Sequence, residues 1–517
     1  MKVKVENCTG CGYCLLSCPQ DAISSDGWAK VDENRCNDCN ICVFVCPNRC
    51  LISTSPIELP RASYRDHYDV VIVGAGLGGL MAAAWLAKEG RKVGIFERLS
   101  FIGGRYTELD YHGYAVTTAA WTSLGERCNI GRFLEDVGAD VRYITLRDKG
   151  ATQQSWIWFK DGRRYSSLDQ MLSREEMRGF LRALIEGKRD APRDVSTTDY
   201  VGRYIQNDDL MAVLNAIVGT ASGVNVEDFP ASEYVQIAMD MRVAGLEFGF
   251  PVGGVRAIVE ALAKVIEAYD GEFFTRTEVA SFLVGDGRTR GVALANGDEV
   301  AADVVIHNGG ARGLIDLVGR DNLPLDYVER IEGLVPLDCV AIILGTTEPL
   351  WEGVPMLMTS GTDRVVGLFA PTFFDSSVAP PGKHMVDVFL PLLSQDRRAE
   401  LELAMADLRT LFPHLDEITE MMVPMFFMGS WAGAGCTQTF GQVGDMRLDP
   451  RTPIEGLYLV GMDVVGSGAA GDLIPIGVRR LIDAVHVHGG GERRRSAGKW
   501  LWNEPHHAHQ DEDQTLD

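Results

Sequence analysis

The sequence predicts an α/β protein with α+β parts, in which a small cysteine-rich head precedes a large parallel-sheet domain that is interrupted by inserted segments. Three observations predict this class. Eight cysteines in the first 46 residues form two copies of one spacing, and an apolar strand over residues 69–73 runs into a glycine-rich turn and an alanine-rich helix. Helical apolar stripes then replace the strand pattern between residues 173 and 217.

Length and charge set the first limits on function. A chain of 517 residues is long enough for two or three domains, each with its own buried core. The formal net charge of -23 argues against nucleic-acid binding, because phosphate contacts need clustered lysine and arginine. An acidic surface suits a ferredoxin or another one-electron carrier protein that docks through a basic patch.

The composition predicts a cytoplasmic protein. Apolar runs stay shorter than about 18 residues, and the N-terminus, Met1 to Lys4, lacks the apolar stretch of a signal peptide. We expect the tail, residues 491–517, to be solvated and partly disordered, although its arginines and tryptophans are also compatible with peripheral membrane contact or a docked partner. A homo-oligomer is compatible with the sequence as well.

Two copies of the spacing Cys-x2-Cys-x2-Cys-x3-Cys-Pro, 28 residues apart, predict two [4Fe-4S] clusters. In such runs three closely spaced cysteines hold one cube, and the fourth, followed by proline, reaches the other cube. The first predicted ligand set is Cys8, Cys11, Cys14 and Cys46, and the second is Cys36, Cys39, Cys42 and Cys18. A pair of structural zinc sites is the alternative, but zinc needs no third cysteine at this pitch.

The head as a whole resembles a known electron-transfer family. Residues 1–52 are similar to the two-cluster bacterial ferredoxins over essentially their whole length, which implies that the head carries single electrons. A ninth cysteine, Cys50, lies outside the pattern, and we interpret it as a small buried residue rather than a ligand. Residues 53–67 are predicted to be a linker, extended and semi-rigid where prolines occur.

The glycine turn after the first strand of the large domain predicts a dinucleotide site. The run from Gly74 to Gly79 lies between a predicted strand and helix, and a second strand ends at Glu97, 18 residues after Gly79. Gly74 makes the tight turn, Gly76 lets a pyrophosphate approach the backbone, and Gly79 allows close packing of helix on strand. Glu97 would accept hydrogen bonds from the ribose hydroxyls, which disfavours NADP.

The residues after Glu97 resemble the FAD-dependent amine oxidases and phytoene desaturases. The resemblance lies in the segment from Glu97-Arg98 to Gly103-Gly104-Arg105, whose Gly-Gly-Arg turn runs along the FAD pyrophosphate and ribityl chain in that superfamily. FAD is therefore the implied cofactor. Its predicted contacts in this half of the site are Gly74, Gly76, Gly78, Gly79, Glu97, Arg98, Gly103, Gly104 and Arg105.

Three later segments match the same superfamily in the same order. The resemblance implies that the backbone of Val279 bonds the adenine ring and that Asp463 lies beside the ribityl chain. A helix that begins near Ile476 would turn its positive end to the N1/O2 edge of the flavin. The residues assigned to FAD in these segments are Val279, Gly461, Asp463, Gly471, Ile476 and Gly477.

These segments divide the chain into predicted domains. The predicted parts are a ferredoxin head (1–52), a linker (53–67), the FAD-binding domain in three pieces (68–145, 251–315 and 441–490), a substrate or cap region (146–250), a substrate domain (316–440) and a tail (491–517). The large domain is thus of Rossmann type with an inserted substrate or cap domain.

The flavin itself is the expected reacting group, and the sequence names no catalytic acid or base. The resemblance places residues 117–121 in the wall beside the flavin, and Trp121 in this segment is a weak candidate for a catalytic residue. His112 precedes Gly113, where carotenoid desaturases often carry an acid. It could exchange protons with a substrate, but a structural histidine is the alternative.

A single dinucleotide fingerprint leaves no evident site for a pyridine nucleotide, so we expect electrons to pass through the head. The first hypothesis is a flavoenzyme that reduces or desaturates a carbon-carbon bond in a hydrophobic, isoprenoid-like or carotenoid-like substrate. An amine or amino-acid dehydrogenase that passes electrons out through the clusters is the second. A third is an electron-transfer module without a small-molecule substrate of its own.

Overall fold

The structure is a computed structural model that describes residues 1–55, 57, 62–119 and 124–488. The strands are β1 (Lys2–Val3), β2 (Ile23–Ser25), β3 (Ala29–Val31), β4 (Leu51–Ile52), β5 (His67–Val73), β6 (Val93–Phe96), β7 (Glu108–Tyr111), β8 (Tyr114–Thr117), β9 (Tyr143–Thr145), β10 (Ser155–Phe159), β11 (Arg164–Tyr165), β12 (Gly249–Pro251), β13 (Glu272–Phe274), β14 (Val279–Gly285), β15 (Arg288–Leu294), β16 (Glu299–His307), β17 (Cys339–Thr346), β18 (Met356–Ser360), β19 (Gly367–Phe369), β20 (His384–Pro391), β21 (Thr419–Phe427) and β22 (Leu457–Leu459). The α-helices are α1 (Tyr13–Leu16), α2 (Ile41–Val45), α3 (Leu77–Lys88), α4 (Asn129–Val137), α5 (Leu168–Met171), α6 (Arg174–Asp190), α7 (Thr197–Val201), α8 (Asp208–Ser222), α9 (Ala231–Ala244), α10 (Arg256–Ala268), α11 (Ala311–Val318), α12 (Leu325–Glu332), α13 (Arg397–Leu411), α14 (Leu415–Ile418) and α15 (Ile474–His488).

The head is a duplicated unit with pseudo-symmetric halves. Each run of cysteines contains one short helix, α1 in the first and α2 in the second. Strand β1 pairs antiparallel with β4, which brings the two ends of the head together, and β2 pairs antiparallel with β3. The head therefore closes on itself before the linker begins.

A mixed sheet forms the centre of the large domain. Its order is β13-β6-β5-β16-β15-β14, and β22 pairs with β16 off this path. Strands β13, β6, β5, β16 and β22 are parallel, whereas β15 is antiparallel to both β16 and β14. Strand β5 is apolar and buried on both faces, as expected for the middle of a doubly covered parallel sheet. Helix α3 follows β5 and packs against α10 and α15. The predicted α/β class with α+β parts is confirmed, and three distant stretches of chain build this one sheet.

A second sheet lies between the helices of the middle segment and the head. Its order is β11-β10-β18-β19-β20-β17-β21, so strands from 146–250 and from 316–440 share it. Helix α13 packs on one face, and α8 packs over β18, β19 and β20. Strand β21 lies at one edge of the sheet. Within the described ranges, no helix is long and apolar enough to cross a membrane.

Candidate iron-sulfur and flavin site

The first cysteine run surrounds a small cavity. Its lining contains five cysteines: Cys8, Cys11, Cys14, Cys46 and Cys50. Backbone N–H groups donate to two of the sulfurs, from Ala29 to Cys8 Sγ at 3.4 Å and from Cys50 to Cys46 Sγ at 3.4 Å. The fourth cysteine of the second run thus lies with the first three of the first run.

The second run surrounds a second small cavity, whose ligands come from the two runs in the reverse way. The cysteines in its lining are Cys18, Cys36, Cys39 and Cys42. The Ala22 N–H donates to Cys18 Sγ at 3.3 Å. Cys39 is exposed, whereas the four predicted ligands around the first cavity are all buried. The second cavity therefore lies nearer the surface.

The donor sets of both cavities fit an iron-sulfur cube. All the head cysteines are free thiols, and each cavity offers at least four of them at close range. Burial raises the pKa of Cys11 to about 12 and that of Cys42 to about 11. Positively charged iron supplies the stabilisation that such buried thiolates need.

The glycine turn has the close approaches that a pyrophosphate site requires. Gly74 has φ of 98°, which favours glycine. A Cβ at Gly79 would lie 2.4 Å from the Gly74 carbonyl oxygen, so only glycine lets α3 pack this closely on β5. A Cβ at Gly76 would lie 2.5 Å from Asn308 Nδ2, and one at Gly78 would lie 3.1 Å from Gly461 Cα. The turn, β16 and the segment after β22 therefore converge here.

Glu97 lies at the end of β6, directly beside this turn. Its Oε2 accepts a hydrogen bond from the Ala75 N–H at 2.7 Å, and its Oε1 accepts one from the Leu99 N–H at 2.7 Å. Burial raises the pKa of the carboxyl, while these two N–H donors lower it. Each oxygen keeps a lone pair for a ribose hydroxyl, so the position suits the predicted role.

The Gly-Gly-Arg segment returns to the same turn. The Gly103 N–H donates to the Ala75 carbonyl at 2.7 Å, and Gly104 lies close to Gly76. Arg105 extends from it to the carbonyl oxygens of Ala432 and Gly433. Its guanidinium carbon lies 5.2 Å from the centre of the Trp431 ring. Arg98 is half-buried, and its burial, and then the charge of Arg49 in the head, lower its pKa.

The later predicted segments close the site. Asp463 Oδ2 accepts a hydrogen bond from the Ala311 N–H, at the start of α11, at 2.7 Å. Val279 is buried at the start of β14. Gly471 lies against Tyr106, three residues after Gly103, and Ile476 and Gly477 lie in the first turn of α15. Of the predicted FAD residues, Gly76, Gly78 and Gly461 are brought into direct proximity, together with Asn308, which the sequence analysis did not single out.

Comparison with known proteins identifies the large domain. Residues 77–471 match the model of the flavin containing amine oxidoreductases, and residues 1–24 match that of a 4Fe-4S binding domain. The chain belongs to the flavin containing amine oxidoreductase family. The resemblance stated from the sequence is therefore confirmed, and the protein is an FAD-dependent oxidoreductase with a 4Fe-4S domain at its N-terminus.

Relatives of this flavoprotein include carotenoid enzymes. A zeta-carotene-forming phytoene desaturase of Myxococcus xanthus is 26% identical over 507 residues, 81% of this chain and 95% of the relative. An uncharacterized protein of Methanocaldococcus jannaschii is 29% identical over 353 residues, 67% of this chain and 83% of the relative. The crystal structure of an oxidoreductase from Methanosarcina mazei aligns with a TM-score of 0.71 at 25% identity, covering 80% of this chain and 99% of that one.

The head docks on the flavoprotein through the first cysteine loop. The Phe426 N–H of edge strand β21 donates to the Gly10 carbonyl at 3.0 Å. A Cβ at Gly12 would lie 3.3 Å from Met425 Cγ, so this glycine lets the loop lie flat on β21. Arg397, at the start of α13, donates to the carbonyl oxygen of Cys8 at 2.8 Å. The loop thereby covers an otherwise unpaired strand edge.

Tyr13 extends from this loop into the flavoprotein. Its side chain is fully buried, and its hydroxyl donates to the Thr118 carbonyl at 2.5 Å. The Trp431 Nε1–H lies 3.3 Å from the same hydroxyl, and the rings of Phe101 and Trp431 meet the Tyr13 ring edge to face. Thr118 belongs to the predicted flavin wall, and the Arg105 guanidinium lies over the ring of Trp431. Tyr13 lies between two predicted ligands, and no periodic signal distinguishes it in the sequence.

A buried carboxyl group from α9 faces the glycine-rich loop before α15. Asp240 Oδ1 accepts from Gln236 at 2.6 Å, and a Cβ at Gly468 would lie 2.8 Å from Asp240 Oδ2. Burial, and then the charge of Asp472, raise the pKa of Asp240 to about 8. Asp472 itself accepts hydrogen bonds from the Asn129 and Ile130 N–H groups. A single acid on a helix gives no sequence signal of its own burial, which is why this group was missed.

The two weak catalytic candidates from the sequence, His112 for proton exchange and Trp121 at the flavin wall, have different outcomes. His112 lies in the exposed turn between β7 and β8, and its Nε2 lies 3.3 Å from Asp21 of the head. The structure thus brings His112 to the head rather than to the glycine-rich segments. Trp121, with Ala120, lies outside the described residues.

Proposed function

We propose that this flavoprotein reduces a carbon-carbon double bond in a hydrophobic, isoprenoid-like substrate at FAD, with electrons supplied through two [4Fe-4S] clusters. The observation that carries the proposal is the contact of Tyr13 with Thr118 and Trp431, because it joins the first cysteine cavity to the predicted flavin wall. An electron-transfer head attached by a mobile tether would need no such buried contact.

The two cavities suggest the order of electron transfer. Cys39 at the second cavity is exposed, and so are the acidic side chains of Asp32 and Glu33, which precede it by seven and six residues in the chain; such a surface suits a carrier with a basic patch. The first cavity is buried against the flavoprotein. Electrons would therefore enter at the second cluster and leave from the first toward FAD. The ligands are Cys36, Cys39, Cys42 and Cys18 for the second cluster, and Cys8, Cys11, Cys14 and Cys46 for the first.

FAD would be held where the glycine turn, the Gly-Gly-Arg segment and the segment after β22 converge. The N-terminus of α3 would hold the pyrophosphate, because the N–H groups of a first helical turn and the helix dipole favour anions. Glu97 would hold the ribose and Asp463 the ribityl chain. The remaining contacts are those that the resemblance assigns: Gly74, Gly76, Gly78, Gly79, Arg98, Gly103, Gly104, Arg105, Val279, Gly461, Gly471, Ile476 and Gly477.

Reduced FAD held here would supply the hydride, and Asp240 would supply the matching proton. One alkene carbon would take the hydride and the other the proton, so that two C–H bonds replace the π bond and the flavin is left as oxidised FAD. Two electrons delivered one at a time through the clusters, with one proton from solvent, would return it to the reduced form. Asp240 suits the proton step because its pKa of about 8 keeps it protonated at neutral pH beside the loop that the resemblance places at the flavin.

The relatives support the substrate class. Several carry the names phytoene desaturase or prolycopene isomerase, and those names refer to polyenes. A polyene offers the conjugated double bonds that hydride and proton addition require. Low-potential clusters favour addition of electrons to such a bond over their removal.

An anaerobic turnover assay tests the function. Full-length protein with both cofactors is reduced with dithionite and incubated with polyprenoid and carotenoid extracts, and products are expected to be heavier than their substrates by two mass units. The same protein without reductant is the control. Absence of any such product across these classes overturns the substrate proposal, and bleaching of the flavin by an amine in the oxidised protein would favour amine oxidation instead.

A further inference from the structure

The duplication of the head contains one informative difference. At the 28-residue period, Cys18-Pro19-Gln20-Asp21-Ala22 corresponds to Cys46-Pro47-Asn48-Arg49-Cys50. In both halves the last residue donates its backbone N–H to the sulfur of the first, at 3.3 Å from Ala22 and 3.4 Å from Cys50. The backbone geometry is therefore the same, and the halves differ at this position by a single thiol.

The extra thiol is directed into the first cavity. Cys50 Sγ lies 3.3 Å from Cys46 Sγ, and the residue is 3% exposed. A cube has four irons that each take one cysteine, so the four cysteines of the repeated spacing complete the ligand set without Cys50. Cys50 lies in contact with a ligand sulfur but is not needed as a ligand.

We propose that the Cys50 thiol donates an S–H···S hydrogen bond to Cys46 and thereby holds the reduction potential of the first cluster above that of the second. Reduction adds negative charge that spreads onto the ligand sulfurs, and a donor to such a sulfur stabilises the reduced form. The second cavity has Ala22 at the equivalent position and lacks this donor.

Electron transfer between the two clusters then has one favoured direction. This inference rests on the proposed function, since it needs both clusters to be present. The cluster of higher potential is the one whose loop carries Tyr13 into the flavoprotein. The cluster of lower potential is the one with exposed Cys39. Electrons that enter at the surface therefore move to the flavin side because the first cluster is the more easily reduced.

The chain supplies its own matched variants for the test. Cys50→Ala gives the second repeat the alanine that the first repeat has at the equivalent position. Ala22→Cys gives the first repeat the cysteine of the second. Full-length protein is poised at a series of potentials and the reduced clusters are counted by EPR spectroscopy. We expect Cys50→Ala to lower the higher of the two midpoint potentials and to leave the lower one in place.

The expected change is about tenfold in the ratio of reduced to oxidised first cluster at a fixed potential, which corresponds to about 59 mV for one electron. Ala22→Cys should raise the lower potential and leave the higher one in place. Cys50→Ser, which keeps a hydroxyl donor, should give a smaller shift than Cys50→Ala. Unchanged potentials in Cys50→Ala, or equal shifts of both clusters, would overturn the inference.

Iron analysis separates this inference from the proposed function. If Cys50→Ala loses one cluster while the wild-type protein holds two, Cys50 is a ligand and the hydrogen-bond proposal is wrong. If the wild-type protein holds only one cluster, the two-cluster function itself fails before any variant is compared.

Discussion

The hydroxyl of Tyr13 donates a hydrogen bond of 2.5 Å to the backbone carbonyl of Thr118, 105 residues further along the chain. Tyr13 lies between the predicted ligands Cys11 and Cys14, and Thr118 lies in the segment that follows β8 toward the flavin wall. This contact fixes the first cysteine loop on the flavoprotein, and it is fully buried. The spatial relation of the head to the flavin site is therefore set by packing rather than by the linker.

Removal of the Tyr13 side chain should slow electron transfer from the head to FAD. Tyr13→Leu removes the hydroxyl and the ring contacts with Phe101 and Trp431, so the loop is held less firmly, and we expect flavin reduction by pre-reduced clusters to slow at least about tenfold. Tyr13→Phe loses only the hydrogen bonds, worth about 0.5–1.5 kcal/mol each, and should show a smaller effect. Rapid-mixing absorbance spectroscopy measures the rate.

Tyr269→Phe serves as the matched control, because Tyr269 is 45% exposed and stands at the C-cap of α10 in the flavoprotein. Its flavin reduction should equal that of the wild type. If Tyr13→Leu transfers electrons at the wild-type rate, Tyr13 has no part in the coupling of head and flavoprotein.

The fourth cysteine of each run should serve the cluster of the other run. We expect Cys46→Ala to remove the cluster that Cys8, Cys11 and Cys14 hold, so that the iron content falls by about half and flavin reduction through the head is lost. Cys18→Ala should remove the other cluster, again by about half, and should abolish reduction by an external carrier. Iron and sulfide analysis with EPR spectroscopy reads both outcomes.

Cys128→Ala is the control for these variants, since Cys128 is a buried free cysteine on the flavoprotein side. It should keep both clusters. Retention of full iron in Cys46→Ala would contradict the assigned ligand set, unless Cys50→Ala in the same chain then removes that cluster, which would make Cys50 a substitute ligand.

Substitution of Glu97 should weaken FAD binding. Its carboxylate accepts hydrogen bonds from the Ala75 and Leu99 N–H groups, and in Glu97→Gln the amide N–H2 faces one of these donors instead of accepting from it. An unsatisfied buried donor costs about 1–3 kcal/mol, so we expect FAD affinity to fall about tenfold or more. Fluorescence titration of the FAD-depleted protein measures it.

Glu89→Gln is a suitable control, because Glu89 follows α3 at the far end from the glycine turn and its carboxylate contacts only Trp85 and His486 in the described hydrogen bonds. FAD should bind this variant as it binds the wild type. Equal affinity in Glu97→Gln would remove Glu97 from the site.

The pH dependence of stability should report the buried Asp240. Its pKa of about 8 in the folded protein lies above the unfolded value of about 3.9, so the folded state binds the proton more tightly. The contribution of this group to the free energy of unfolding is fully present below about pH 4. It is lost as the pH rises to about 8, at up to about 1.36 kcal/mol per pH unit. Asp240→Asn has no proton to lose.

Between about pH 5 and 8, the free energy of unfolding of the wild type should therefore fall relative to that of Asp240→Asn. Above about pH 8 the difference between the two should stay constant. Urea unfolding at a series of pH values measures the two curves. Parallel curves would show that Asp240 is not protonated in the folded protein, and they would also remove it as the proton donor of the proposed reaction.

Local patterns carried most of the interpretation of the sequence. The cysteine spacing and the strand, glycine turn and helix at residues 69–88 are short-range features, because a ligand loop and a phosphate turn are each built from residues close in the chain. The comparisons confirm the flavoprotein family and a 4Fe-4S domain. Single residues such as His112 were harder to place, since the same side chain serves a reaction or a surface pair according to what it meets after folding.

By itself, the sequence determined the class of fold, the flavin family and the cysteine pattern of the head, because each depends on residues within one turn or one strand-helix unit. Only the tertiary structure decided that Tyr13 reaches Thr118 and that Asp240 faces Gly468. It also decided that Cys50, which belongs to the same repeat unit as Cys46, lines the same cavity. Those contacts join distant segments or depend on side-chain direction, and they form because burial of apolar surface brings the head, the cap helix and the parallel sheet into one packed body.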